Sequence, residues 1–510
     1  MRDAVKQLLV SGAGVLAALV CGPVAMAQVG LFAGHGDVGK VLHAGDARFD
    51  PAKGTYTVAG SGENLWSTHD EFQYVWTKVS GDVALSADIS FVGTKGNPHR
   101  KAALMIRQSL DTSSAYVDVA RHGDGLTSLQ YRAATGADTH EVETASVAPQ
   151  RVRIERRGDY AYVFVGEAGG QLNFSGAAMR LPLSGEFYVG LAVCAHDKDV
   201  TETAVFSNVQ IERLPPATGK TVLYSTLETV IVNSTDRRVR HTEAVHFEAP
   251  NWTRDGTALI YNQDGGLRRW TLDDGVHPND RTIPLQTASM PIPTGAQTKC
   301  NNDHGLSPDG TQIAISDSSV DGKSHVYVLP LAGGTPRLVT KEGPSYWHGW
   351  SPDGSTLAFT GQRRGEFDIY TIPAGGGAET RLTTAPGLDD GPEYSPDGQW
   401  IYFNSERTGH MQIWRMHPDG SGQEQVLQDE NNDWFPHLSP DGKRMVFVAY
   451  KPGVKGHPPN EDVALVMVSL PDRKTTVLAS LFGGQGTMNV PCWSPDGTKV
   501  AFVSYALVAQ

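Results

Sequence analysis

Apolar and polar residues alternate with a period of two along most of this chain, in short runs broken by glycine. The clearest are VALSADISF (83–91), AALMIRQSL (102–110), AYVDVA (115–120), RVRIERRGDYAYVFV (151–165), EFYVGLAVCA (186–195) and AVFSNVQIE (204–212). Alternation of this kind sends successive side chains to opposite faces of a sheet, so each run predicts a strand with one buried face. Glycine-rich breaks between such runs favour antiparallel connections, and residues 31–214 read as an antiparallel β-sandwich. No long helical pattern is evident, and the fold class expected for the whole chain is all-β.

From about residue 250 the same alternation becomes a repeat. NWTRDGTALIY (251–261), GLSPDGTQIAI (305–315), GWSPDGSTLAF (349–359), EYSPDGQWIYF (393–403), HLSPDGKRMVF (437–447) and CWSPDGTKVAF (492–502) follow one template. Their apolar anchors are Trp252, Leu306, Trp350, Tyr394, Leu438 and Trp493, spaced by 54, 44, 44, 44 and 55 residues. A period near 44 with four short strands per unit predicts propeller blades. In Ser-Pro-Asp-Gly the proline presets φ, the aspartate caps the turn and the glycine accepts positive φ, so the motif is scaffold. Pairs such as FDIYTIP with TRLTT and MQIWRMH with EQVLQ supply the outer strands of each blade. The last copy is followed by only one strand. Thr229–Asn233 and Arg237–Glu243 therefore read as the outer pair of a sixth blade, closing the ring and removing its exposed edges.

The SPDG repeats resemble those of the TolB-like six-bladed propellers, over about residues 220–510. That resemblance implies a fold and leaves function open, since the family includes a pore-associated scaffold protein, non-catalytic halves of some peptidases, and lyases acting on oligogalacturonate. In the first half, the order GENLWSTHDEFQYVW, SGDVALSADI, ALMIRQSLDTSSAYV, RVRIERRGDYAYVFV, FSNVQI resembles concanavalin A-like jelly rolls found beside secreted carbohydrate-active domains. Trp66, Tyr74, Trp76 and Tyr131 there are either sugar-stacking platforms or core filling.

At 510 residues the chain exceeds what one hydrophobic core supports. The expected division is a signal peptide at 1–27, a jelly-roll domain at 31–214, the linker RLPPATGK (213–220) and a propeller at 221–510. Arg2 and Lys6 precede an apolar stretch from Leu8 to Val20, and Ala25-Met26-Ala27 supplies a cleavage site, which points to the periplasm or the medium. No later segment is long enough to span a membrane. A net charge of −13 repels nucleic acid and anionic lipid. Of four cysteines, Cys194, Cys300 and Cys492 follow the leader, which allows at most one disulfide, with Cys300 and Cys492 as candidates.

Chemistry is expected where the inner strands open on the channel, just before each SPDG turn. There His304 and His348 stand where other blades carry proline, and Asp390, Glu393, Glu248 and His437 join them as candidate catalytic groups. Asn251, Asn302, Asp303, Trp347, Trp434 and Asn489 are candidate substrate contacts, with Arg363, Arg407 and His457 from hairpin loops that also carry Arg364, Lys451 and Lys455. Cations rimming the mouth of an acidic protein suggest an anionic ligand such as a uronate-containing glycan; the alternative is that Arg363 and Arg407 bridge adjacent blades.

Two chemistries fit: a lyase using a histidine or a divalent metal held by His304, His348 and His437, or a hydrolase using Asp390 or Glu393 with Glu248. The expectation is an exported carbohydrate-active enzyme that binds and cleaves an oligo- or polysaccharide. A non-catalytic protein binding an envelope protein partner, or a glycan-binding sensor, is the competing expectation.

Overall fold

The computed structural model describes residues 28–215, 219–272 and 289–509. The expected leader at 1–27 and residues 216–218 of the expected linker lie outside them. All 39 described secondary-structure elements are β-strands. Among the described residues, no helix is long and apolar enough to cross a membrane. Cys194, Cys300 and Cys492 are all free and buried.

Each alternating run of the first half forms a strand. Val83–Phe91 sends Val83, Leu85, Ala87 and Ile89 into a core shared with Leu104, Ile106, Val117, Val119, Leu191 and Val193 from the facing sheet. The run at 151–165 folds as a hairpin of Arg151–Arg157 and Tyr160–Gly166. Seven strands make one sheet, in the order Asn173–Arg180, Tyr160–Gly166, Arg151–Arg157, Val83–Phe91, Glu202–Arg213, Thr55–Gly60, Asp46–Asp50. The other runs Gly34–Val38, Phe72–Ser80, Glu186–Cys194, Lys101–Arg107, Tyr116–His122, Thr127–Arg132, Thr139–Glu143. Apolar faces of the two sheets meet in a sandwich-like arrangement.

In the second half five four-stranded blades follow one another. Their innermost strands are Phe247–Trp252, Cys300–Leu306, Ser345–Trp350, Asp389–Tyr394 and Asn432–Leu438. The turns behave as the motif predicts: Gly256, Gly310, Gly354, Gly398, Gly442 and Gly497 all have φ between +67° and +71°. The serine or threonine of each turn donates to its aspartate, as Ser307 does to Asp309 at 2.6 Å.

The strands expected to complete a sixth blade are present in a different setting. Thr221–Ile231, which begins earlier than the sequence suggests, pairs with Lys499–Ala509 on one side and Arg237–Glu243 on the other. A bridge from Trp493 to Val500 adds the inner edge, and Lys499–Ala509 packs against both Phe247–Trp252 and Thr475–Gly484. Arg237–Glu243 then pairs in parallel with Thr139–Glu143 of the sandwich, at Val142 with Arg237 and Glu143 with Arg238. Ten strands thus form one continuous sheet across the expected domain boundary. The buried pair Arg237–Glu228, 2.7 Å apart, and a hydrogen bond from Tyr160 to Asp462 at 2.5 Å reinforce the junction.

Candidate functional site

Every blade's innermost strand carries a register shift just before its SPDG turn: Glu248 to Asn251, Cys300 to His304, Trp347 to Gly349, Asp390 to Glu393, and Trp434 to His437. In blades one, four and five a proline follows a residue of positive φ, namely Ala249 (58°), Gly391 (60°) and Phe435 (57°). Proline cannot donate to the ladder and an inserted residue bends the strand, so the bulge re-aims its neighbours. For Phe435 that conformation is strained by roughly 1–3 kcal/mol and is retained beside the channel. Its N–H donates to Asn404 Oδ1 at 3.0 Å.

These bulges surround a cavity of about 500 Å³ lined by residues from all five blades and from the segment before Trp493. Its titratable groups are Glu248, Asp303, Asp390, His348, His457 and Tyr346. His348 Nε2 lies 3.3 Å from Asp390 Oδ1, and Thr360 donates to that oxygen at 2.7 Å. The N–H of Gly391 also donates to it at 2.8 Å, and His457 Nε2 is 3.9 Å from Oδ2. Burial pushes the Asp390 carboxyl up, but His348, His457 and Thr360 outweigh it and hold it at about 2. Burial alone would lower His348, yet Asp303 and Asp390 beside it keep it above its ordinary value.

The other two carboxyls have weaker support. Asp303 accepts from Asn301 Nδ2 at 2.9 Å, and burial raises it to about 7, with His348 opposing and Asp390 adding. Glu248 faces Asn302 Nδ2 at 3.4 Å and is raised to about 7 by burial and by Asp303. One cavity therefore holds an ionised carboxylate beside two carboxyls that exchange a proton near neutrality. Environments that separate otherwise similar acids in this way assign acid and base roles.

The cavity brings together seven of the residues expected from sequence: Glu248, Asn302, Asp303, His348, Asp390, His457 and Asn489. The rest are elsewhere. His304 is fully buried and does not line the cavity, and burial lowers it to about 4. Glu393 and His437 are bound to each other, Oε2 to Nδ1 at 2.5 Å, and do not line the cavity. Trp347 is core beneath Gly305, where an added Cβ would stand 2.0 Å from its ring. Trp434 is core that meets His457 edge-on at 4.3 Å. Asn251 is committed to the Pro491 carbonyl at 2.7 Å.

The expected cationic rim is also absent from the mouth, because its arginines brace their own blades. Arg363 pairs with Glu379 at 2.9 Å and donates to the Pro344 carbonyl. Arg407 pairs with Asp389 at 3.0 Å and stacks over Trp414. Lys451 pairs with Asp462 at 2.7 Å. No lysine or arginine is among the cavity's lining residues.

His304, His348 and His437 do not assemble into a metal site, since one is sealed in the sheet and another is held by Glu393. Among the described residues no three His, Cys, Asp or Glu side chains are arranged to hold a metal ion. In the sandwich, Tyr74 and Trp76 pack in a buried cluster and Tyr131 packs on the main core, while Trp66 is partly exposed with Lys101 over its ring.

Sequence reasoning missed Asn301, Tyr346, Thr360, Phe367, Leu388, Phe435 and Gln485 as lining residues. Phe435 follows a named candidate and precedes a proline, so the bulge signal was present. Gln485 lies in no repeat, though it accepts from Asn489 Nδ2 at 3.2 Å and contacts His457 Nδ1.

Comparison with known proteins agrees with this architecture. A model of the TolB β-propeller domain matches residues 303–505. An uncharacterized protein of Agrobacterium fabrum is 48% identical over 259 residues, covering 51% of this chain and 85% of that protein. A solved TolB candidate from Agrobacterium tumefaciens is 48% identical, covering 56% of this chain and 99% of that one, with a TM-score of 0.52. An oligogalacturonate lyase from Vibrio parahaemolyticus is 14% identical, covering 55% of this chain and 77% of its own, with a TM-score of 0.34, a distant likeness that carries no chemistry.

Proposed function

The chain belongs to the TolB β-propeller family, and from that premise we propose that its propeller is the frame of a glycan-cleaving site of hydrolytic type at the channel mouth. The observation that carries this reading is the cavity itself, where Glu248, Asp303 and Asp390 converge with His348 and His457. Asp303, protonated up to about pH 7, donates to the glycosidic oxygen, and ionised Asp390 stabilises the positive charge that develops on the sugar ring. Glu248, in its ionised form, orients the attacking water and takes its proton as the glycosidic C–O bond breaks and the new C–O bond forms. With Arg363 and Arg407 committed to Glu379 and Asp389, an acidic glycan and β-elimination lose the cations that would support them.

Closure of the ring as six blades, glycan capture by the sandwich as a jelly roll, and export to the periplasm or medium belong to the same proposal. A second reading, binding of an envelope protein segment in the same mouth without turnover, is favoured by the 48% identity to a TolB candidate. The test is incubation of the chain from residue 28 onward with neutral, amine-bearing and acidic oligosaccharides, with and without chelator. Turnover that survives chelation and falls at least about a hundredfold in Asp303→Asn is expected. Saturable binding with no product would replace cleavage with a glycan-binding sensor, and neither binding nor turnover of any of them would leave the second reading.

A further inference from the structure

The cavity pairs its carboxyls with aromatic rings. Tyr346 and Phe367 line it with centroids 6.3 Å apart and planes tilted by 43°, and Phe435 lines it from the fifth blade, stacked on His348 at 6.1 Å. Phe435 holds this place in a strained backbone conformation where the fourth blade uses Gly391. Ring faces are negative and attract cations, most strongly where water is excluded. Carboxylates attract the same charge, and no lysine or arginine lines the cavity to compete. His348 and His457 are the basic groups present, and both face Asp390.

We propose that the occupant of this cavity carries a cationic amine, seated among Tyr346, Phe367 and Phe435 with the carboxylate of Asp390 as its counter-charge. The inference rests on the glycan reading above for the rest of the ligand, which makes the substrate class an oligosaccharide with free amino groups. A neutral sugar would use the amides Asn302 and Asn489 and the rings, but leaves the excess of carboxyls unanswered. A uronate would meet ionised Asp390 with like charge.

Calorimetry with the chain from residue 28 onward tests this, using hexosamine oligomers, their N-acetylated counterparts, uronate oligomers and benzyltrimethylammonium. Free-amine oligomers are expected to bind about tenfold or more tightly than N-acetylated ones. Tyr346→Leu and Phe367→Leu, each at a partly exposed position, are expected to weaken only the amine-bearing ligands, by about tenfold. Equal binding of free and acetylated oligomers, or tightest binding of uronates, would overturn the amine inference and leave the glycan reading standing. Benzyltrimethylammonium binding as tightly as the hexosamine oligomers would uphold the amine inference and remove the glycan reading instead.

Discussion

In the sandwich, Asp70 is wholly buried between two guanidinium groups, 2.8 Å from Arg132 and 3.4 Å from Arg107, both themselves buried. In the propeller cavity, Asp303 and Glu248 are buried beside amides and another carboxyl. Arg132 also donates to the carbonyls of Ser67, Thr112, Ser114 and Ala137, so the charged cluster ties the loop at 66–70 onto the sheet. A carboxylate matched by fixed cations is a structural tie. Amide neighbours and like charge leave the proton free to move near neutrality, which is what acid catalysis needs. Asp118 in the sandwich is pushed well above the usual carboxylate range by burial, but it is sealed from solvent and has no cavity to serve.

The comparison breaks most sharply at Arg132. Arg132→Met is expected to lower unfolding free energy by about 3–5 kcal/mol, because Asp70 loses its closer partner in a fully buried site. Denaturant unfolding measures this, and a loss under 1 kcal/mol would mean the cluster is not the tie described. Arg407→Ala is expected to cost about 3 kcal/mol by stranding Asp389, with ligand preference unchanged. Unaltered stability with lost binding of an anionic ligand would restore the cationic rim.

A pH-dependent effect separates a third kind of carboxyl. Asp433 is buried with neither oxygen partnered, and burial raises it to about 8. Because its folded value lies above its unfolded one, its contribution to stability is fully present below about pH 4 and is lost as pH rises through about 8. Asp433→Asn should therefore gain on the parent progressively between pH 4 and pH 9, by about 1.4 kcal/mol for each pKa unit by which the carboxyl is raised. Parallel stability curves for the two proteins across that range would show that Asp433 is ionised in the fold.

Much of this architecture is legible in the sequence because the SPDG turn admits one backbone geometry and recurs at a blade's length. The pairing of the strand after residue 221 with the last strand follows from the same repeat, whereas the merging of Arg237–Glu243 with Thr139–Glu143 was not legible, since a parallel edge contact leaves no local pattern. The site was half legible. Reading back from each turn found Glu248, Asp303, His348 and Asp390, but strict alternation fails at a bulge, where one extra residue reverses which side chains face the channel. Trp347, Trp434, Glu393 and His437 were misplaced for that reason, and His304 sits on the sealed side of its own bulge. Thr360 and Phe367 come from the second and third strands of blade three, which reach the mouth only through the folded hairpin.

The protonation of the cavity is the most direct test of the claim that it is built for chemistry. Carboxyl-carbon NMR of the folded chain, titrated from pH 3 to pH 9, should show two carboxyls with midpoints near 7 that disappear in Glu248→Gln and Asp303→Asn. If every carboxyl assigned to the cavity has ionised by pH 5, the mouth holds only fixed charge, and the reading of Asp303 as a proton donor fails.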